Sequence, residues 1–242
     1  MIIEKIGIRG TVFTFQEGDS AFSQDTSVYL IDAGEKLFLC DTHVGPKSME
    51  VVKEHIDTQG LREKEIIVFN SHSDWDHIWG NCAFPDSTII AHESCRQRIE
   101  ERGEYDLEKY EGKFHDGTFK LKLPNLTFDN RLKFEEHDIE FIYAPGHTVD
   151  SAICYDRKDS VLFVGDLVEY PNPYLNYDDL GAYIKSLEYI KSLGAKIILC
   201  GHSGKVDENL INENIAFITE LTRPKTSMDS ANIQRGVESP SE

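Results

Sequence analysis

Residues 66–77 read Ile66-Ile67-Val68-Phe69-Asn70-Ser71-His72-Ser73-Asp74-Trp75-Asp76-His77. A short, β-branched apolar run predicts a buried strand, and it ends abruptly in small and polar residues. Four side chains able to bind a metal then follow within six positions. In extended backbone alternate residues point the same way, so the spacing predicts His72, Asp74 and Asp76 on one side, with His77 following as the chain turns. Imidazole and carboxylate together suit zinc, iron or manganese. A capping role at a helix entry would account for one carboxylate, but not for two carboxylates and two imidazoles.

The same pattern returns three times. His147 follows the run Ile139–Tyr143 through Ala144-Pro145-Gly146; Asp166 follows Val161–Val164 through Gly165; His202 follows Ile197–Cys200 through Gly201. Taken singly, each reads more readily as a surface or supporting histidine, or as a turn aspartate bonded to its own backbone, than as a ligand. The repetition at four strand ends is what argues for a site. Open sheets place functional groups beyond the carboxyl ends of their strands, and glycine lets backbone approach closely there.

Around these motifs the chain is organised in two similar halves. Strands are predicted at Ile2–Ile8, Thr11–Phe15, Ser27–Ile31, Leu37–Cys40, Ile66–Phe69 and Thr88–Ala91, and again at Ile139–Tyr143, Ala152–Tyr155, Val161–Val164 and Ile197–Cys200. Helical spacing appears around Met49, Val52 and Ile56, from Glu93 to Gly103, from Leu180 to Ile190, and from about Asp207 to Leu221. The charged stretch from Gly103 to Gly117 reads as an irregular surface excursion. Strands in sequence, then strands alternating with helices, predict an α+β fold of two face-to-face sheets with helices outside.

Composition narrows the function. The 242 residues carry 43 Asp+Glu against 25 Lys+Arg, a formal net charge of −18. Such an acidic surface disfavours nucleic acid and anionic membranes as partners, and leaves a small molecule as the expected one. No run approaches the roughly 20 apolar residues of a membrane span, and no secretory signal is visible. The five Cys lack scaffold spacing; Cys40, Cys154 and Cys200 read as buried hydrophobes, and the predicted location is cytoplasmic. Nothing in the sequence specifies an oligomeric state.

At this point the sequence resembles the metallo-β-lactamase-fold hydrolase superfamily, over about residues 10–205. The motifs occur in family order: a strand ending in Asp41, the HxHxDH-type loop as His72-Ser73-Asp74-Trp75-Asp76-His77, APGHT with His147, Gly165-Asp166, and Gly201-His202. The resemblance implies a four-layer αβ/βα sandwich over residues 1–225, followed by a tail, 226–242, expected to be disordered. It implies two divalent metal ions as cofactors. His72, Asp74 and His147 would form one site and Asp76, His77 and His202 the other, bridged by Asp166, with Asp41 supporting the ligand loop and Asp76 steering the attacking hydroxide. One departure stands out: the family usually has His where this chain has Asp74. Three carboxylates and a bridging hydroxide would cancel the charge of two divalent ions, which weakens the Lewis acid and favours harder metals such as iron or manganese over zinc.

The reading that follows is a binuclear hydrolase of the glyoxalase II-like general branch, acting on an ester, thioester or lactone through a metal-bridging hydroxide. The alternative is a di-iron oxidoreductase handling dioxygen, nitric oxide or a persulfide, motivated by Asp74 because flavodiiron relatives also carry a carboxylate there, typically Glu. Trp75 and Trp79 beside the ligand loop, and Tyr170 and Tyr174 after Asp166, are candidate walls of a substrate pocket, with burial in the core as the competing reading. His43 and His115 are read as surface or hydrogen-bonded histidines.

Overall fold

The computed structural model describes residues 1–16, 24–110, 113–114, 116–118 and 120–223. His115 and the predicted tail 226–242 lie outside these residues.

The first half builds a seven-stranded sheet in sequence order: β1 (Ile2–Ile6), β2 (Gly10–Phe15), β3 (Thr26–Asp32), β4 (Lys36–Cys40), β5 (Glu65–Phe69), β6 (Thr88–His92) and β7 (Leu126–Phe128). Pairing is antiparallel from β1 to β4 and parallel from β4 to β7. The parallel steps need crossovers, supplied by α1 (Pro46–Thr58), by the short α2 (Trp75–Ile78) with a 3-10 turn at Trp79–Ala83, and by α3 (Glu93–Tyr110). The second sheet contains β8 (Arg131–Phe134), β9 (Ile139–Tyr143), β10 (Ala152–Asp156), β11 (Val161–Phe163), β12 (Ile197–Cys200) and β13 (Gly204–Val206). Its order is β13-β12-β11-β10-β9-β8, with one parallel pair, β11 with β12, joined through α4 (Leu180–Ser192). The last helix is α5 (Glu208–Thr222).

Alternation along the strands divides the apolar residues into layers. Phe38, Cys40, Ile67 and Phe69 of the first sheet meet Phe141, Cys154, Phe163 and Leu199 of the second in the central core. Phe69 stacks on Phe141 at 4.3 Å between ring centroids. The neighbouring residues Leu37, Leu39 and Val68 point the other way, onto Met49, Val52 and Ile56 of α1. Ile142, Ile153, Leu162 and Ile198 likewise pack outward on Tyr183, Leu187, Ile211 and Ile218 of α4 and α5. These layers are the αβ/βα sandwich expected from the sequence.

Five elements differ from the sequence reading. The strand predicted to Ile8 ends at Ile6, where Gly7 turns the chain at φ +62°. The helix predicted to stop at Gly103 runs on to Tyr110, so much of the supposed irregular excursion is helical. Gly103 is there for space: a Cβ would stand 2.5 Å from Leu121 Cδ1, and beyond it Leu107 and Tyr110 pack with Trp75 and Leu121. Strands β7, β8 and β13, each three or four residues long, carry too little alternation to be legible.

An ion pair ties the two sheets together at the end of the first hairpin. Arg9 reaches across to Asp156 on β10, with Nη2 2.6 Å from Oδ1, and Asp159 accepts from the backbone N–H of Ile8 (2.6 Å) and Arg9 (2.9 Å). Asp156 is fully buried, so its charge depends on this partner.

Candidate metal centre

The four loops that carry the predicted ligands leave β5, β9, β11 and β12 at their carboxyl ends and meet at one edge of the sandwich. The alternation expected through residues 72–76 is only partly realised. Asp74 is still extended, at φ −68° and ψ 142°, but it ends the segment; Asp76 and His77 belong to α2, and helical backbone aims them at the cluster.

Asp166 Oδ2 sits at the centre of the arrangement. It lies 3.6 Å from His72 Nε2, 3.1 Å from His77 Nε2, 3.8 Å from His147 Nε2 and 3.2 Å from His202 Nε2. On one side Asp74 Oδ2 is 3.2 Å from His147 Nε2 and 3.6 Å from His72 Nε2. On the other, Asp76 Oδ2 is 3.2 Å from His202 Nε2 and 3.6 Å from His77 Nε2. These separations match the edges of coordination polyhedra, roughly 3.4 Å for a tetrahedron with ligands about 2.1 Å from its centre. His72 Nε2 and Asp166 Oδ1 are buried and have no hydrogen-bond partner among the described residues, which a cation would remedy. The residues present therefore fit divalent metal in two sets, His72–Asp74–His147 and Asp76–His77–His202, with Asp166 between them.

All four imidazoles are oriented by their other nitrogen. His77 Nδ1 donates to Asp41 Oδ2 at 2.8 Å, His147 Nδ1 to the carbonyl of Tyr174 at 3.1 Å, and His202 Nδ1 to the carbonyl of Asp25 at 2.8 Å. His72 Nδ1 lies 2.9 Å from Ser71 Oγ, whose own hydrogen goes to Asp41 Oδ2 at 2.7 Å. With the proton fixed on Nδ1, each ring presents a bare Nε2 to the centre. Asp41 is buried with its backbone at φ +61°, and it also accepts from the Ser71 N–H at 2.7 Å, so one carboxylate braces both ends of the ligand loop. Asn70 and Asn81 exchange amide hydrogen bonds of 3.0 and 2.8 Å beneath that loop. Arg98 of α3 bridges Ser73 Oγ (3.0 Å) and the buried Asp150 (2.9 Å).

Electrostatics within the cluster are strongly perturbed. Burial opposes the charge of Asp74 and Asp166, yet their histidine partners hold both carboxyls well below the usual range. Burial equally opposes protonation of His77 and His202, but the facing carboxylates raise both; His147 is raised to about 9. Such mutual dependence is what a metal ion resolves by replacing the protons. Gly201 is required at the rim, because a Cβ would collide with Asp166 Oδ1 and stand 2.8 Å from His77 Cε1.

A family model for the metallo-beta-lactamase superfamily matches residues 24–202. The chain belongs to the metallo-β-lactamase superfamily. Its members bind divalent metals and it is, accordingly, a metal-dependent hydrolase. A β-lactamase-like protein 2 homolog of Drosophila melanogaster is 25% identical over 221 residues, covering 90% of this chain and 70% of that protein. A probable metallo-hydrolase of Methanocaldococcus jannaschii is 31% identical over 166 residues, covering 63% and 67%. In structure, the DIM-1 metallo-β-lactamase superposes with a TM-score of 0.72 at 18% identity, covering 91% of this chain and 97% of that one, a likeness of fold alone.

The proposed pocket residues divide. A cavity of about 410 Å³ adjoins the cluster at Asp166 and His202 and is walled by Glu169, Tyr170 and Tyr174. Both tyrosines are exposed, at 76% and 64%. Trp79 is 1% exposed and packs with Ile78, Ala91, Cys95 and Ile99; no surface is left for a substrate, so it is a core residue and not a pocket wall. Trp75, half-buried, stacks on Phe114 at 5.2 Å and does not line this cavity. Of the two readings of His43, surface or hydrogen-bonded, the second holds: the ring is fully buried, stacked on Phe15 at 4.5 Å and hydrogen-bonded to the Asp76 backbone, and burial drives its pKa down to about 3.

Sequence reasoning missed Glu169, Arg98, and Asp25 and Tyr174 as backbone carbonyls that accept from His202 and His147. Glu169 alone had a signal, three residues after Asp166. Its carboxyl is raised by burial and by the charge of Asp166.

Proposed function

We propose that this chain is a binuclear hydrolase of a small-molecule ester, thioester or lactone. The observation that carries the reading is the shared position of Asp166 Oδ2, within 3.8 Å of all four Nε2 atoms, beside an open cavity. His72, Asp74 and His147 would hold one ion and Asp76, His77 and His202 the other, with Asp166 common to both. Zinc, iron or manganese bound there supplies a Lewis acid for the scissile carbonyl and lowers the pKa of water.

The chain's own residues then have distinct work. Asp76, 3.2 Å from His202 Nε2, would hold metal with His77 and His202 and orient the attacking water through its carboxylate. Asp41 and Ser71 keep His77 and His72 from rotating as charge builds on the substrate. Tyr170 and Tyr174 flank the cavity and limit the leaving group that fits.

The test is protein purified metal-replete, assayed for metal equivalents and for turnover of an aryl ester, an acyl thioester and a lactone. Two equivalents with chelator-sensitive turnover of at least one substrate is the expected result. A second reading, di-iron redox chemistry, is motivated by Asp74. Two irons with a reversible redox spectrum and no turnover on any of the three substrates would replace the hydrolase reading with that one.

A further inference from the structure

Asp166, His202 and Glu169 line the cavity beside the cluster, and no Lys or Arg does among the described residues. With Asp166 and His202 committed to metal, the charge that remains on its wall is that of Glu169. Lys205 lies in the adjoining groove but is paired with Glu4, and Arg98 is taken up by Asp150 and Ser73. The cluster itself needs all three of its carboxylates for metal. Glu169 is a fourth acid, and it is left over.

Glu169 is also held in place. Its backbone N–H donates to Asn214 Oδ1 at 3.0 Å and its carbonyl accepts from Asn214 Nδ2 at 2.9 Å, with Asn214 buried on α5. One carboxylate oxygen, Oε2, accepts from the Tyr174 N–H at 2.6 Å, which closes the loop 169–174 over the cavity. The other oxygen makes no hydrogen bond among the described residues. Beside it stand two largely exposed aromatic rings, Tyr170 and Tyr174. A fixed carboxylate flanked by tyrosine faces is the chemistry that binds ammonium groups, through charge and cation–π attraction together. The same wall repels carboxylates and phosphates.

We propose that the substrate carries a positive charge, a protonated or quaternary amine, and that Glu169 is its counter-ion while Tyr170 and Tyr174 supply the aromatic walls. The proposal rests on the hydrolase reading for the reaction but not for the pocket. Because Glu169 presents an oxygen within 4.8 Å of the donor atoms of His147 and Asp166, the competing source of positive charge is a further metal ion at that corner.

The experiment compares the metal-loaded wild type with Glu169→Gln, which keeps an acceptor for the Tyr174 N–H. Three readouts are taken. They are kcat/KM for acetylcholine against its uncharged isostere 3,3-dimethylbutyl acetate, calorimetric binding of tetramethylammonium, and metal equivalents. The wild type is expected to favour the charged ester about tenfold or more, a ratio that falls toward one in the variant. Tetramethylammonium should bind the wild type and not the variant, with metal content unchanged. Equal turnover of the two esters by the wild type, or a preference that survives in the variant, overturns the proposal. Loss of a metal equivalent in Glu169→Gln also overturns it and makes Glu169 a metal ligand. If neither ester is turned over, the hydrolase reading loses support, and tetramethylammonium alone decides the pocket: binding abolished by the variant supports it, and absent binding refutes it.

Discussion

The loop after β5 and the loop after β11 both carry candidate metal ligands, yet they are built in opposite ways. Residues 70–81 are buried except at Ser73–Trp75, which are half-buried: the asparagine pair lies beneath them, Asp41 braces them, and α3 holds them through Arg98. The segment after Asp166 is buried only as far as Val168, then opens to solvent through Tyr170 and Tyr174. A metal centre demands donors fixed to fractions of an ångström, and a packed frame provides that. A substrate must enter and leave, so its contacts sit on an exposed rim. The comparison predicts that damage to the first loop removes metal, while damage to the second changes substrate use.

Asp166→Ala is the strongest test, since this residue faces both ligand sets. Metal content should fall from two equivalents to one or none, and kcat/KM by roughly three orders of magnitude or more. Elemental analysis and steady-state kinetics check both. Asp41→Ala touches no metal, yet it strands the Ser71 N–H and the His77 Nδ1–H. Metal affinity should drop about 10- to 100-fold, measured by competition with a chelator. An unchanged affinity would show that packing alone orients His77.

Arg98→Ala leaves Asp150 buried without its cation. Urea denaturation should show a loss of about 2–4 kcal/mol, discounted from a fully buried pair because Arg98 is partly exposed. Arg98→Lys should recover only part, since a lysine lacks the geometry to bridge Ser73 and Asp150.

The pH response distinguishes metal-free from metal-loaded protein. His147 is raised to about 9 by its carboxylate partners, against about 6.5 when unfolded. A raised imidazole contributes stability that is complete below about pH 6.5 and lost as pH rises through about 9. The lowered carboxyls of Asp74 and Asp166 contribute stability above their unfolded values that is lost on acidification. Metal-free protein should therefore melt at a lower temperature at pH 9 than at pH 6.5. Metal replaces these protons, so the rise in melting temperature on adding metal should grow over the same interval. Differential scanning calorimetry with and without metal at four pH values reads this out. The smallest effect belongs to the rim: Tyr170→Ala should leave stability within about 0.5 kcal/mol while altering KM, which sharpens the contrast between the loops.

The ligand set was legible because its chemistry is carried by residue type. His72, Asp74, His147, Asp166 and His202 each follow a strand and a turn, and although any one of them alone has a commoner explanation, the repetition at four strand ends does not. The layers were legible for a similar reason, since Leu37-Phe38-Leu39-Cys40 is apolar on both faces and must be covered on both. Trp79 was misplaced because a tryptophan beside a ligand loop has the same sequence signature whether it faces core or cavity. Gly103 misled for a different reason: a glycine needed for a close approach to Leu121 looks like a helix stop.

By itself, then, the chain determined which side chains could bind metal and that two sheets would enclose a common core. Tertiary structure decided how those side chains are aimed. The carbonyls of Asp25 and Tyr174 orient His202 and His147, and any residue type would offer the same carbonyl oxygen, so no sequence pattern marks them. Glu169 is the intermediate case. Its identity supplies the charge, and only the fold sets it beside two tyrosines at the mouth of the metal cavity.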